Sequence, residues 1–176
     1  MDKVLIVVDM QNDFIDGTLK NPDALAIVKN LANFISQWHG HIIFTRDTHD
    51  ENYLETQEGK KLPIKHCIVD TSGWEVNQTI FNAAANNENA TIDIIDKPTF
   101  GAGLILYNAV NKLKNVNDIV VCGTCTDICV VSNALELKTF FPKANVSVLS
   151  ELCAGLTKEK HEAALEVMRS CQIEVL

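Results

Sequence analysis

The residue types able to do covalent chemistry converge on one stretch, Asn117 to Lys138, NDIVVCGTCTDICVVSNALELK. It reads as a buried strand over 119–122, a tight turn at Gly123 and Thr124, and a helix opening at Thr126 or Asp127 with Cys129 in its first turn. A thiol at a helix N-terminus sits where unpaired backbone N–H groups and the helix dipole favour thiolate over thiol. That is the setting of a nucleophile. Ile128, Val130 and Val131 around it leave a buried core thiol as the other reading. A cysteine nucleophile needs a proton acceptor and an electrostatic partner. Asp9, directly after the apolar run Val4 to Val8, is a proton acceptor if burial raises its pKa, and otherwise a loop-capping carboxylate. Lys97 follows a third apolar run and is held extended by Pro98, so it either supports a thiolate and a neighbouring carboxylate or is a solvated surface lysine.

A second constellation lies further in: Asp47-Thr48-His49, then Glu58, then His66. Asp-x-His at a strand end puts two ligands on one short turn, and a distant histidine closes the set. Oxygen with imidazole suits Zn, Mn or Fe, although either histidine alone also reads as a surface or hydrogen-bonded residue. Cys122-Gly-Thr-Cys125 is a Cys-x-x-Cys. A redox or zinc role for it requires the pair exposed at a helix start or a second pair at ligand spacing, whereas Cys122 ends a strand expected to be buried. Cys67, Cys153 and Cys171 read as small core residues.

The elements that must position these groups alternate. Strands are expected over 4–8, 41–45, 91–95, 119–122, 146–149 and 173–176. Helices are expected from Pro22 to near Gly40 with Leu25, Val28, Ala32, Ile35 and Trp38 on one face, and over 74–85, 104–113, from Thr126 or Asp127, and over 157–168, where Ala164, Leu165 and Met168 share a face. Trp74, opening its helix, is read as packing. Thr48 to Gly73 has no sustained period, and an irregular segment of that length is usually functional. The fold class is therefore α/β, a three-layer α/β/α sandwich with a mostly parallel six-stranded sheet in a single domain over 1–176. Ligands of open parallel sheets bind beyond the carboxyl ends of the strands, and Asp9, Asp47 with His49, Lys97 and the segment before Cys129 all follow strand ends.

Composition bounds the partners. At 176 residues, 47 % hydrophobic and net charge −8 with no basic cluster, the chain suits small-molecule chemistry rather than nucleic acid or anionic membranes. No apolar run approaches the roughly 18 residues of a membrane span. The Val4 to Val8 run closes at Asp9, too soon for an export signal, so a cytoplasmic protein with six reduced cysteines is expected.

VVDMQNDF at 7–14, DKPTFGAG at 96–103 and CGTCTDICV at 122–130 together resemble the isochorismatase-like cysteine hydrolases, in particular the nicotinamidases. The resemblance runs from first strand to last. It implies a triad of Cys129, Asp9 and Lys97, a cis peptide between Thr124 and Cys125, and an oxyanion hole from the backbone N–H groups of Cys125 and Cys129. It also implies a divalent metal, zinc first with Mn or Fe as alternatives, on Asp47, His49 and His66, with Glu58 acting directly or through water. Phe14 and Phe100 match pocket aromatics of the family. The implied reaction is cleavage of a small heteroaromatic carboxamide, nicotinamide-like, to acid and ammonia through a thioester, in a homo-oligomer. An isochorismatase-type vinyl-ether hydrolase and a catalytically idle or Cys-x-x-Cys redox protein are the alternatives. The chain departs from nicotinamidases at Leu62-Pro63-Ile64-Lys65, where they carry an aromatic residue three positions before the last metal histidine.

Overall fold

An apolar run with no polar face, such as Val4 to Val8, must be covered on both sides once it is a strand. In the computed structural model, which describes residues 2–176, it forms the heart of β1 (Asp2–Val8), and all five side chains are fully buried. β1 pairs in parallel with β2 (Gly40–Asp47) on one side and β4 (Val116–Thr124) on the other. β3 (Ala90–Lys97) lies outside β2, while β5 (Asn145–Ala154) and β6 (Glu174–Val175) lie outside β4. The order is β3-β2-β1-β4-β5-β6 and every pairing is parallel.

Right-handed crossovers then decide the layers. Moving outward from β1 to β3 puts α2 (Pro22–Ser36) and α4 (Gln78–Ala85) together on one face, where they pack on each other. Moving the other way puts α5 (Gly103–Lys112), α6 (Val131–Phe140) and α7 (Lys158–Ser170) on the opposite face, with α6 touching both neighbours. Strand order reverses between β1 and β4. Their carboxyl ends therefore open a crevice, because the chain leaves them toward opposite layers.

Several elements differ from their sequence pattern. α2 stops at Ser36, and Leu25 faces solvent while Ala24, Leu31, Ala32 and Ile35 form the buried face. α4 begins at Gln78 rather than Trp74. Asn77 caps it by accepting from the Thr79 N–H, and residues 74–76 are kept out of the helix by a turn at Trp74 and by Gln11 and Asn12, which bond to their backbone. Tertiary pairing overrides local helix propensity there. β4 runs on through Thr124, so Gly123 is in the strand. Its φ of 120° and the Val8 backbone beside its Cα admit only glycine. The segment after β2 is not wholly irregular: a 3₁₀ turn at Tyr53–Glu55 and α3 (Gln57–Lys61) are built into it. β6 is two residues long, and Cys171 is exposed just past α7 instead of in the core.

Candidate active site

Each strand end contributes one group, and register sets how far apart they start. β1 ends at Asp9, whose φ of 49° lies in the left-handed region that Asp tolerates better than most residues. Thr45, across from Val8 on β2, donates its hydroxyl to Asp9 Oδ1 at 2.6 Å. Lys97 ends β3 and is paired in register with Asp47 at the end of β2. Strands lie about 4.8 Å apart, so β1 is roughly 10 Å from β3 and only a long side chain crossing above β2 can connect them. Lys97 does so. Its Nζ lies 2.7 Å from Asp9 Oδ2, 3.5 Å from Asp47 Oδ1 and 3.6 Å from Cys129 Sγ, and donates to the Thr99 carbonyl at 3.0 Å. Cys129 arrives from β4 through a cis Thr124-Cys125 peptide and a wide, π-helical turn, Thr126–Val130, that leads into α6. Asp9, Lys97 and Cys129, singled out from three separate stretches of sequence, are thus gathered into one buried cluster.

Their electrostatics are opposed. Burial pushes the Asp9 carboxyl up; the Lys97 ammonium pulls it back, and Asp47 pushes it further up. Burial raises the Cys129 thiol well above its ordinary value, Asp9 adds to this, and Lys97 counters it. Burial on its own would discharge Lys97, but the charges of Asp9, Cys129 and Asp47 hold it above the usual lysine value. Asp9 and Cys129 therefore compete for negative charge beside a fixed cation, so that ionising either one raises the cost of ionising the other.

Asp47, His49, Glu58 and His66 offer ligand atoms that all lie within 4.8 Å of one another. His49 Nε2 is 3.0 Å from Asp47 Oδ2 and 3.8 Å from Glu58 Oε1, and His66 Nε2 is 3.4 Å from Asp47 Oδ2. His66 Nδ1 faces the Ile64 carbonyl at 2.8 Å. A carbonyl only accepts, so Nδ1 carries a proton and Nε2 is the ring atom turned to the cluster. Burial would raise the Asp47 carboxyl, yet the bonds from His49 and His66 and the charge of Lys97 hold it well below the usual carboxylate range, ready as an anionic ligand. Two imidazoles and two carboxylates in a mostly buried cup fit a divalent transition metal.

Both clusters face one cavity of about 440 Å³, in which Asp47, Glu58, His66, Cys125 and Cys129 meet an apolar wall of Phe14, Leu19, Leu62, Phe100, Ile128 and Leu156. Phe14 stands 5.7 Å, centroid to centroid, from the His66 ring. Leu62 takes part in the wall at the departure noted above. Trp74 packs elsewhere: its ring lies under the Arg46 guanidinium and its Nε1 donates to Thr48 Oγ1. Cys122 is fully buried and all six cysteines are free thiols, so Cys122 and Cys125 do not form the exposed pair a redox motif needs.

Three positioning residues escape the sequence reading. Thr45 sits inside a strand pattern that announces only a core. Gln11 brackets the Asp47 peptide, donating to its carbonyl at 2.8 Å and accepting from its N–H at 2.7 Å. Asp13 accepts from the Cys67 N–H at 2.7 Å, tying the segment that carries His66 to α1 (Asn12–Ile15). Gln11 and Asp13 lie in the VVDMQNDF motif, and polar side chains just after a buried strand were the available signal.

Residues 3–176 match the isochorismatase domain family model. Among curated proteins, the chain is 24 % identical to the nicotinamidase/pyrazinamidase of Mycobacterium tuberculosis over 99 % of this chain and 98 % of that protein. Among solved structures, it superposes on the pyrazinamidase of Pyrococcus horikoshii, solved in complex with zinc, with a TM-score of 0.81 at 28 % identity, covering 100 % of this chain and 99 % of the other. It superposes on the pyrazinamidase/nicotinamidase of Streptococcus mutans with a TM-score of 0.84 at 26 % identity, covering 99 % and 100 %. With all six strands, from Lys3 onward, and the residues at four of their ends inside that match, the chain belongs to the isochorismatase domain family.

Proposed function

We propose that this chain is a metal-assisted cysteine amidohydrolase that cleaves a small heteroaromatic carboxamide of the nicotinamide kind to the acid and ammonia. The observation that carries the reading is the contact of Lys97 with both Asp9 and Cys129, where Cys129 lines the same cavity as Asp47, Glu58 and His66 of the second cluster. The names of the relatives above support the amide bond as the target.

Asp9 takes the proton of Cys129, and Sγ attacks the carboxamide carbon. The developing oxyanion accepts from the backbone N–H groups of Cys125 and Cys129, each donor being worth roughly 2.7–4 kcal/mol in the best-measured comparable site. Asp9 returns the proton to the leaving nitrogen as the C–N bond breaks, releasing ammonia and leaving a thioester. Water, deprotonated by Asp9, then attacks the acyl carbon; the C–S bond breaks and the thiol regains its proton. Lys97 stays charged throughout and keeps the negative charge from being stranded in a buried site. Phe14 and Phe100 bound the ring on its faces. A divalent ion held by Asp47, His49, His66 and Glu58, zinc by the chemistry of that set, would offer an open position to a ring nitrogen and so orient the ring.

Release of ammonia from nicotinamide or pyrazinamide by the purified protein is the direct assay. No turnover of any carboxamide, together with a Cys129→Ala variant indistinguishable from wild type, would sink the reading. Elemental analysis supplies the second arm: a stoichiometric transition metal lost in His49→Ala is expected. Six free thiols support a reducing, cytoplasmic setting, and light scattering on the purified chain decides whether it acts as a homo-oligomer.

A further inference from the structure

Asn133 is fully buried on α6, one helical turn after Cys129, and every polar atom of its side chain is used. Nδ2 donates to the Cys129 carbonyl at 2.7 Å and to the Phe100 carbonyl at 3.1 Å, while Oδ1 accepts from the Ala102 N–H at 2.9 Å. Two carbonyls and one N–H fix which end of the amide is which, so the orientation is over-determined. The contacts also close a ring. Lys97 reaches Cys129 on one side and the Thr99 carbonyl on the other; Thr99 and Phe100 are adjacent; and Asn133 joins Phe100 back to Cys129. Just beyond, Glu136 accepts from the Gly103 N–H at 2.7 Å, so α6 grips the start of α5, whose own N-cap residue, Ala102, has no capping side chain.

Resting on the amidohydrolase reading, we propose that Asn133 is a positioning residue that sets the nucleophile against the aromatic wall of the pocket. It holds the backbone of Cys129 and the backbone of Phe100 in one amide, so a shift of either is transmitted to the other. Losing it frees two carbonyls and leaves the buried Ala102 N–H without a partner. The nucleophile arm and the substrate arm are separable by substitution. On this same helix Ser132 Oγ donates to the Ile128 carbonyl at 2.7 Å and Thr139 Oγ1 to the Leu135 carbonyl at 2.8 Å. A threonine at 133 has the same option toward the Cys129 carbonyl four residues back, but it is too short to reach Phe100 and Ala102.

The test compares wild type, Asn133→Ala and Asn133→Thr by kcat, KM, thermal midpoint and the rate of Cys129 alkylation by iodoacetamide. Misplacing a reacting group by about an ångström costs on the order of 100-fold, so Asn133→Ala should lose about that much in kcat/KM, with kcat lowered, KM raised and alkylation slowed. Asn133→Thr should recover kcat and alkylation toward wild type while KM stays raised. A residue that only filled space would lower the midpoint in both variants and show no such split. If Asn133→Ala does not fold, Asn133→Thr read against wild type decides the question by the same split. The inference is overturned if either folded variant keeps kcat, KM and alkylation within about twofold of wild type, or if Asn133→Thr is as impaired in kcat as Asn133→Ala. Should wild type cleave no amide, the amidohydrolase reading fails separately, and the alkylation rates alone judge the hold on Cys129.

Discussion

Burying an ammonium group costs several kcal/mol unless opposite charge meets it, and Lys97 is met by Asp9, by Asp47 and by the Cys129 sulfur. Lys97→Met keeps the length and removes the charge, leaving two carboxylates buried against each other. Urea unfolding should show a loss of about 3–5 kcal/mol, and turnover should vanish with it. Asp9 makes a pH prediction of definite sign. Burial raises its carboxyl above the ordinary value of 3.8, and the proposed mechanism needs it ionised, so kcat/KM should climb with pH through a midpoint above that value. The Thr45 hydroxyl favours the ionised form. Thr45→Val, equal in shape, should move the acid limb up by about one pH unit, since a hydrogen bond to a charged group is worth about 1.5 kcal/mol and one unit is about 1.36 kcal/mol. An unmoved limb in Thr45→Val would show that Asp9 is not the group being titrated. Asp9 was legible in sequence because it directly follows a buried run, Lys97 because it stands between a strand pattern and Pro98, and Cys129 because it falls in the first turn after a strand and a glycine. Thr45 was not, because its bond spans 36 residues and its own neighbourhood looks like plain core.

The elements that hold the metal loop are short and owe their shape to contacts far off in sequence. α1 is four residues long, yet Asp13 on it fastens the Cys67 N–H, next to His66, and accepts from the Thr18 N–H at 3.1 Å. Burial would raise the Asp13 carboxyl, but these bonds prevail and lower it below its ordinary 3.8. A carboxyl depressed in the fold stabilises it above the unfolded value and gives that up as pH falls through the folded value. Protease nicking of the segment carrying His66 should therefore increase as pH drops below about 3.8 in wild type. In Asp13→Asn that pH dependence should be lost, and metal should pass to a chelator faster at neutral pH; equal release rates in the two proteins would sink the assignment. Strand and helix alternation was readable because apolar period reports burial directly. The start of α4, the helix α3 and the full length of β4 were not. Backbone pairing by Gln11 and Asn12, the Thr56 cap on Gly59 and the glycine at 123 decide them, and none of these leaves a periodic trace.

Across the whole molecule, the site draws on the ends of β3, β2, β1 and β4, four adjacent strands that enter the sheet from widely separated stretches of sequence. Metal binding to Asp47, His49, Glu58 and His66 should therefore stabilise the fold rather than one loop. At 100 times its dissociation constant an ion adds about 2.7 kcal/mol, which for a chain of this size is a rise of roughly 5–11 °C in thermal midpoint. Calorimetry with and without zinc checks this, and His49→Ala should abolish the rise. That the strand ends converge was foreseeable from the alternation of elements. That a lysine spans three strands to do it was not, because sheet order is invisible in a linear pattern. This span has a further consequence. β3 is an edge strand, hydrogen-bonded to a neighbour on one side only, and edges open before centres. When β3 peels away it carries off the only cation touching Asp9 and Cys129 among the described residues, while the inner strands stay folded. Heating should thus silence the enzyme several degrees before the sheet melts, with amide exchange over Ala90–Lys97 rising in step with the loss of activity.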